Sequence, residues 1–194
     1  MKILKIIIWI LFVAVIIYVL SMFFVFDKNM TIVYNFNPDD SLRFSNPYPW
    51  YRLLPVEHVG SDYSQKVKAE LIYFSVRIPP NFNDANLCVK YSGQPSSIRL
   101  GAEKAFDKYE FVDTKVTDID SQWKKACANF NLREFLLSNY YIKNNKLTFA
   151  ISAAGVTDQN LLTLTEIDLN LKKNYSKNEM QNFYARLKQA LIRR

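Results

Sequence analysis

The hydrophobic pattern of this chain changes character once. Residues 6–26 read IIIWILFVAVIIYVLSMFFVF, with no charge and only Ser21 clearly polar. As a helix rising 1.5 Å per residue, that run is about 30 Å long, the thickness of a hydrocarbon core. A cleaved signal peptide would carry a shorter apolar region, about 7–15 residues, and end in small residues. Here Met22-Phe23-Phe24-Val25-Phe26 stands where small residues would be needed. The pattern predicts an uncleaved transmembrane helix, with the lipid bilayer as partner of 6–26. Lys2 and Lys5 precede it, while Asp27 and Lys28 cancel after it. The positive-inside rule then expects a single-pass cell-membrane protein, N-terminus cytoplasmic and domain extracytoplasmic.

Beyond residue 26 the period falls to two. Residues 31–36 (TIVYNF) predict a first strand, and Asn37-Pro38-Asp39-Asp40 a turn. Residues 45–55 hold Pro47, Pro49 and Pro55 around three aromatics, which predicts an extended loop or a broken edge strand. In 67–78, Ile72, Phe74, Val76 and Ile78 alternate with Leu71, Tyr73, Ser75 and Arg77, the clearest strand of the chain. Leu87, Val89 and Tyr91 mark another. Ile98 and Leu100 mark a third, ended by Gly101. Residues 109–112 form a short strand, and Leu147, Phe149 and Ile151 alternate before Ala153-Ala154-Gly155. Asn131 suits the cap of a short helix over 131–140. In 161–171 the apolar parity switches between Leu162/Leu164 and Ile167/Leu169/Leu171. One buried face survives that switch only through a bulge near Thr165-Glu166.

Many short strands separated by turns predict an all-β antiparallel β-sandwich. The predicted boundaries are 1–26 for the cytoplasmic tip and anchor, 27–173 for the sandwich, and 174–194 for a C-terminal amphipathic helix. That helix opens on a capping box, Ser176-Lys177-Asn178-Glu179. Met180, Phe183, Tyr184, Leu187, Ala190 and Leu191 then form one stripe, with Arg186 and Lys188 off it. The stripe either packs on the sandwich, stays solvated, or docks on an anionic membrane surface or an acidic partner.

Charge separates these regions further. The chain carries +7 overall, but 172–194 holds seven basic residues against Glu179 alone. Residues 27–171 keep 16 basic and 17 acidic residues. A near-neutral domain lacks the basic stripe of a nucleic-acid binder, so no nucleic acid is expected as partner.

The stretch 146–173, KLTFAISAAGVTDQNLLTLTEIDLNLKK, resembles the closing strands of galactose-binding-like jelly rolls. The resemblance implies a jelly-roll-like sandwich, a fold that hosts carbohydrate-binding modules as well as adhesion and scaffold domains. It also brings a structural Ca²⁺ into view, with Asp118 and Asp120 as its weak candidates, although no carboxylate spacing matches an EF-hand loop.

Little else points to chemistry. His58 is the one histidine, in PVEHVG, with no nucleophile or second ligand beside it. It reads as a solvated loop residue, and no catalytic, metal or cofactor residue is assigned. Cys88 and Cys127 both fall opposite the apolar set of their local pattern. They form either a disulfide outside the cytoplasm or two small hydrophobes. Tyr48, Trp50, Tyr51 and Arg52 are the candidate ligand-binding residues, because sugars stack on exposed rings and accept hydrogen bonds from charged groups. The competing expectation is that Trp50 closes the open end of the core. The functional expectation is a non-enzymatic, membrane-anchored binding or assembly module of the cell envelope, with a glycan or an envelope protein as partner. The alternative is an accessory subunit of a larger glycan-processing or secretion complex, contacting protein.

Overall fold

The computed structural model describes residues 9, 13, 29–37, 43–59, 62–79, 82–136 and 146–173. Trp9 and Val13 are helical and exposed; the rest of 6–26, and all of 174–194 with its stripe and basic residues, lie outside the described residues. Among the described residues no helix is long and apolar enough to cross a membrane.

The described strands are β1 (Asn29–Tyr34), β2 (Leu53–Val59), β3 (Asp62–Val67), β4 (Leu71–Arg77), β5 (Asp84–Ser92), β6 (Ser97–Ala105), β7 (Lys108–Asp113), β8 (Lys115–Asp118), β9 (Lys124–Asn131), β10 (Lys146–Ala154) and β11 (Leu162–Lys172). They make two antiparallel sheets. The seven-stranded sheet runs β2-β3-β11-β5-β9-β8, with β1 on the rest of the β11 edge that β3 leaves free. The four-stranded sheet runs β4-β10-β6-β7. The chain crosses between sheets at each step from β3 to β6, from β7 to β8, and at each step from β9 to β11. That winding is jelly-roll-like, and it sets two half-apolar sheets face to face.

The core follows from the alternation. Phe74, Leu87, Leu100, Phe149, Ile151, Leu164, Ile167 and Leu169 all have at most 1% of their surface exposed. A ladder of rings crosses from one sheet to the other: Tyr34 to Phe44 at 5.3 Å, Phe44 to Phe74 at 5.8 Å, Phe74 to Phe149 at 5.7 Å and Phe149 to Phe130 at 5.6 Å. Such contacts add about 0.5–1.5 kcal/mol each beyond area burial.

The parity switch in β11 is met by a break in the ladder to β5 between Leu164 and Glu166. Thr165 is the extra residue, and its bulge returns both halves of the strand to the core. Asn131 accepts the N–H of Arg133 at the start of α1 (Leu132–Leu136); residues 137–140 lie outside the described residues.

Three expectations change. Gly101 does not end β6, which continues to Ala105. The Phe111 ring lies over Gly101, so a Cβ there would stand 2.8 Å from the ring; glycine admits the ring instead of breaking the strand. The strand read over 67–78 is shorter, because Val67 closes β3 and Lys68 to Glu70 turn into β4. His58 lies in β2 rather than a loop; it is exposed there, with the Tyr63 ring 4.7 Å away. The hairpin β2–β3 and the strands β8 and β9 have no counterpart in the sequence reading.

Candidate functional site: an aromatic face on the four-stranded sheet

The site starts from the proline-rich segment. Residues 43–48 run beside β4 as an irregular edge strand, through bridges Phe44 to Val76 and Tyr48 to Tyr73. The Ser45 N–H reaches Ser75 O at 2.8 Å, and Tyr48 and Tyr73 exchange both backbone hydrogen bonds at 2.8 Å. Pro49 has no N–H to donate, and the pairing with β4 ends at Tyr48; the Tyr48-Pro49 bond is cis. A 3₁₀ turn at Trp50–Arg52 follows. The turn lifts Trp50 and Tyr51 off the sheet: Trp50 is 82% exposed and Tyr51 55%. Trp50 therefore does not close the core; that place is held by residues such as Phe36 and Phe44.

Arg52 joins this turn to the sheet. Its guanidinium lies 5.5 Å over the Tyr51 ring and donates to Leu71 O at 2.7 Å, which sets its charge close to the Tyr73 phenol. From Tyr73 the rings continue: Tyr48 at 5.6 Å, Tyr109 at 5.0 Å, and from Tyr109 to Phe111 at 6.4 Å. Arg99 lies 5.8 Å over Phe111 and pairs with Asp113 at 3.3 Å.

Tyr73 is on β4 and Tyr109 on β7, with β10 and β6 between them. Strands are spaced about 4.8 Å apart, so these rings must reach across roughly 14 Å of sheet to touch. Small residues make that possible. Tyr73 faces Ala150, Ala150 faces Gly101, and Gly101 faces Phe111 along one cross-strand row. With only Ala150 and Gly101 rising from the middle strands along this row, the rings lie over them, and Ala150 is fully covered. Burial pushes the Tyr73 and Tyr109 phenols above the usual tyrosine range, so both stay neutral hydrogen-bonding groups at physiological pH. Ser75 and Thr148, hydrogen-bonded to each other at 3.2 Å, flank the platform.

The opposite face, outside the seven-stranded sheet, is built differently. Cys88 and Cys127 stand opposite each other on β5 and β9, Cα atoms 4.1 Å apart, and are disulfide-bonded. Lys125 binds Asp168 and lies 3.7 Å from Glu166. Burial, and next the Asp168 charge, hold Glu166 above the ordinary carboxylate range. Burial alone would lower the Lys125 ammonium, but the two carboxylates outweigh it and raise it. One row on, Thr31 donates to Asn170 at 2.7 Å and Asn86 to Asn129 at 2.8 Å.

Of the two carboxylates weighed for Ca²⁺, Asp118 is exposed at the end of β8 and Asp120 has a local role. Asp120 accepts the N–H groups of Gln122 and Trp123 at 2.7 and 2.8 Å, and these bonds hold its carboxyl low. It shapes the turn between β8 and β9. Among the described residues no group of three His, Cys, Asp or Glu is placed to hold a metal ion.

Of the sequence candidates, the structure brings Tyr48, Trp50, Tyr51 and Arg52 together on one turn. Sequence reasoning missed Tyr73, Tyr109, Phe111 and Arg99. The available signal was parity: Tyr73 lies on the outward set of β4, where an aromatic is out of place unless something covers it or uses it.

Protein-family models and curated proteins give no match to this chain. Solved structures do. A carbohydrate-binding module with specific mannan recognition, TmCBM27, matches with a TM-score of 0.42 at 4% identity, over 75% of this chain and 99% of the module. A carbohydrate-binding module of Cellvibrio mixtus lichenase 5A, solved with cellotriose, matches with a TM-score of 0.39 at 15% identity, over 75% and 98%. The N-terminal cellulose-binding domain of Cellulomonas fimi β-1,4-glucanase C matches with a TM-score of 0.35 at 11% identity, over 77% and 96%.

Proposed function

We propose that this chain is a non-catalytic, membrane-tethered binding module of the cell envelope, and that the aromatic face of its four-stranded sheet takes a glycan. One observation carries the reading: the Trp50 ring, 82% exposed, stacks edge-on with Tyr51 under the Arg52 guanidinium, next to a run of ring contacts from Tyr48 through Tyr73 and Tyr109 to Phe111. The apolar faces of pyranose rings stack on such a surface, while Arg52, Arg99 and the neutral phenols supply hydrogen bonds to hydroxyls. The test is retention of the detergent-solubilised full chain on a glycan array. The intact chain is retained and Trp50→Ala is not. No retention of the intact chain on any glycan would sink the reading; specific capture of an envelope protein at Trp50 instead would select the accessory-subunit alternative.

Residues 6–26 supply the tether, and Lys2 and Lys5 orient it with the domain outside the cytoplasm. Protease added to intact cells or spheroplasts then removes the domain. Protection until lysis would reverse the topology.

A further inference from the structure

We infer that one end of the sandwich, marked by Phe106 at the tip of the β6–β7 hairpin, is a membrane-contact surface that seats the domain on the bilayer. The inference rests on the membrane-tether reading above. It starts from an exposed side chain that the fold does not use. Phe106 is 79% exposed in a two-residue turn with Asp107, whose φ is 59°. Exposed Phe at a hairpin tip costs solubility and contributes nothing to the core.

The ladders fix where that tip lies. Asn29 pairs with Lys172, Lys172 with Asp84, and Asp84 with Asn131, so four strand ends share one row of the seven-stranded sheet. α1 follows Asn131, and Glu134 on it reaches Lys104, two residues before Phe106, at 3.6 Å. The hairpin tip and Asn29 therefore belong to the same end of the sandwich. The turn between β8 and β9, with Ile119 50% exposed, is at the other end, because β9 enters there at Lys124 opposite Tyr91.

Only Asp27 and Lys28 separate the apolar run from Asn29. Fully extended, those residues span on the order of 10 Å. That is too little to carry the domain clear of the headgroup layer, so the end bearing Asn29 meets the bilayer. Phe106 there can bury its ring at the boundary of headgroups and acyl chains. Charge agrees. Arg77, Lys108, Lys146 and Lys172 are exposed at that end, and Lys173 lies over the Phe82 ring at 5.5 Å. Of the carboxylates there, Glu110 and Glu134 bind Lys104 and Glu103 accepts the Asp107 N–H, while the exposed Asp107 carboxylate is outnumbered by those four cations. The outward charge is positive and suits anionic lipid.

The test uses the full chain reconstituted in vesicles of phosphatidylcholine and phosphatidylglycerol, with p-benzoylphenylalanine in place of Phe106 or of Ile119. Both sites are exposed, so neither replacement disturbs the core. Illumination is expected to give lipid adduct at 106 and none above background at 119. Adduct at neither site, at both, or at 119 alone, from a chain that resists carbonate extraction, overturns the contact and leaves the tether reading standing. A chain released by carbonate overturns both. In the 106 variant, Lys172→Glu with Lys173→Glu should lower the adduct in these vesicles and leave it unchanged in phosphatidylcholine alone; equal yields in the two lipids would overturn the headgroup contact.

Discussion

The two outer faces of the sandwich are made from the same kind of strand and treat their side chains in opposite ways. On the seven-stranded face, polar groups find one another: Lys125 with Asp168 and Glu166, Asn86 with Asn129, Thr31 with Asn170, and Cys88 with Cys127. On the four-stranded face, rings rest on Ala150 and Gly101, and beside them Trp50 stands 82% exposed with only the Tyr51 edge against it. The first face is closed on itself and holds the fold together. The second spends little on stability and presents aromatic surface to solvent. A polar face is therefore no guide to where a ligand sits; the guide is which groups the fold leaves unused.

Four variants break this contrast, and they are ordered by expected loss of stability. Replacing Cys88 and Cys127 together by Ala frees a loop with a separation of 39 residues. The unfolded chain gains entropy worth about 4 kcal/mol, read as a lower midpoint in urea. Glycan retention is unchanged, because the disulfide lies on the other face. An unchanged midpoint would show that this face does not brace the fold.

Lys125→Met comes next. It leaves Asp168, whose side chain is 12% exposed, beside Glu166 with its bound cation gone and only the Lys90 charge nearby. The loss at neutral pH is about 2 kcal/mol, below the value for a fully buried pair because Lys125 is partly solvated. The sign with pH follows from Glu166. Its folded pKa is raised, so keeping it ionised costs folding free energy above its ordinary range. The variant thus regains stability as pH falls through the carboxylate range, where the folded state takes up the proton. Equal slopes of stability against pH in variant and wild type would remove the coupling.

Gly101→Ala tests the other face. The new Cβ meets the Phe111 ring at 2.8 Å and must push it aside, at a cost of about 1 kcal/mol. Because the ring belongs to the platform, glycan retention should fall along with the modest loss of stability. Trp50→Ala is the smallest in stability, within about 0.5 kcal/mol, since the ring is exposed. A steep fall in melting temperature would show that Trp50 supports the fold.

What the sequence made legible divides along the same line. The bulge at Thr165 was readable because a parity switch admits no other solution on a strand with one buried face. The inward set of β4 was readable for the same reason. The hairpin β2–β3 was not, since Leu53 to Val59 includes Pro55, Glu57 and His58 and lies on an edge where alternation fades. The platform was half legible. Tyr48, Trp50, Tyr51 and Arg52 stood together in the chain, but their continuation through Tyr73, Tyr109 and Phe111 depends on which strands are neighbours. Gly101 shows the limit of local reading: glycine looked like a terminator, and its meaning came from a ring on another strand.

The pairing of β1 along β11 also decides how the domain bears load. On the tether reading proposed above, a force between an anchor at 6–26 and a ligand held on the aromatic face enters the domain at Asn29, the start of β1. Six residue pairs from Asn29–Lys172 to Tyr34–Ile167 lie parallel to that pull. They are strained together in shear rather than opened one at a time. Unfolding from this end then requires the whole ladder to slip at once, which makes forced unfolding at β1 slow.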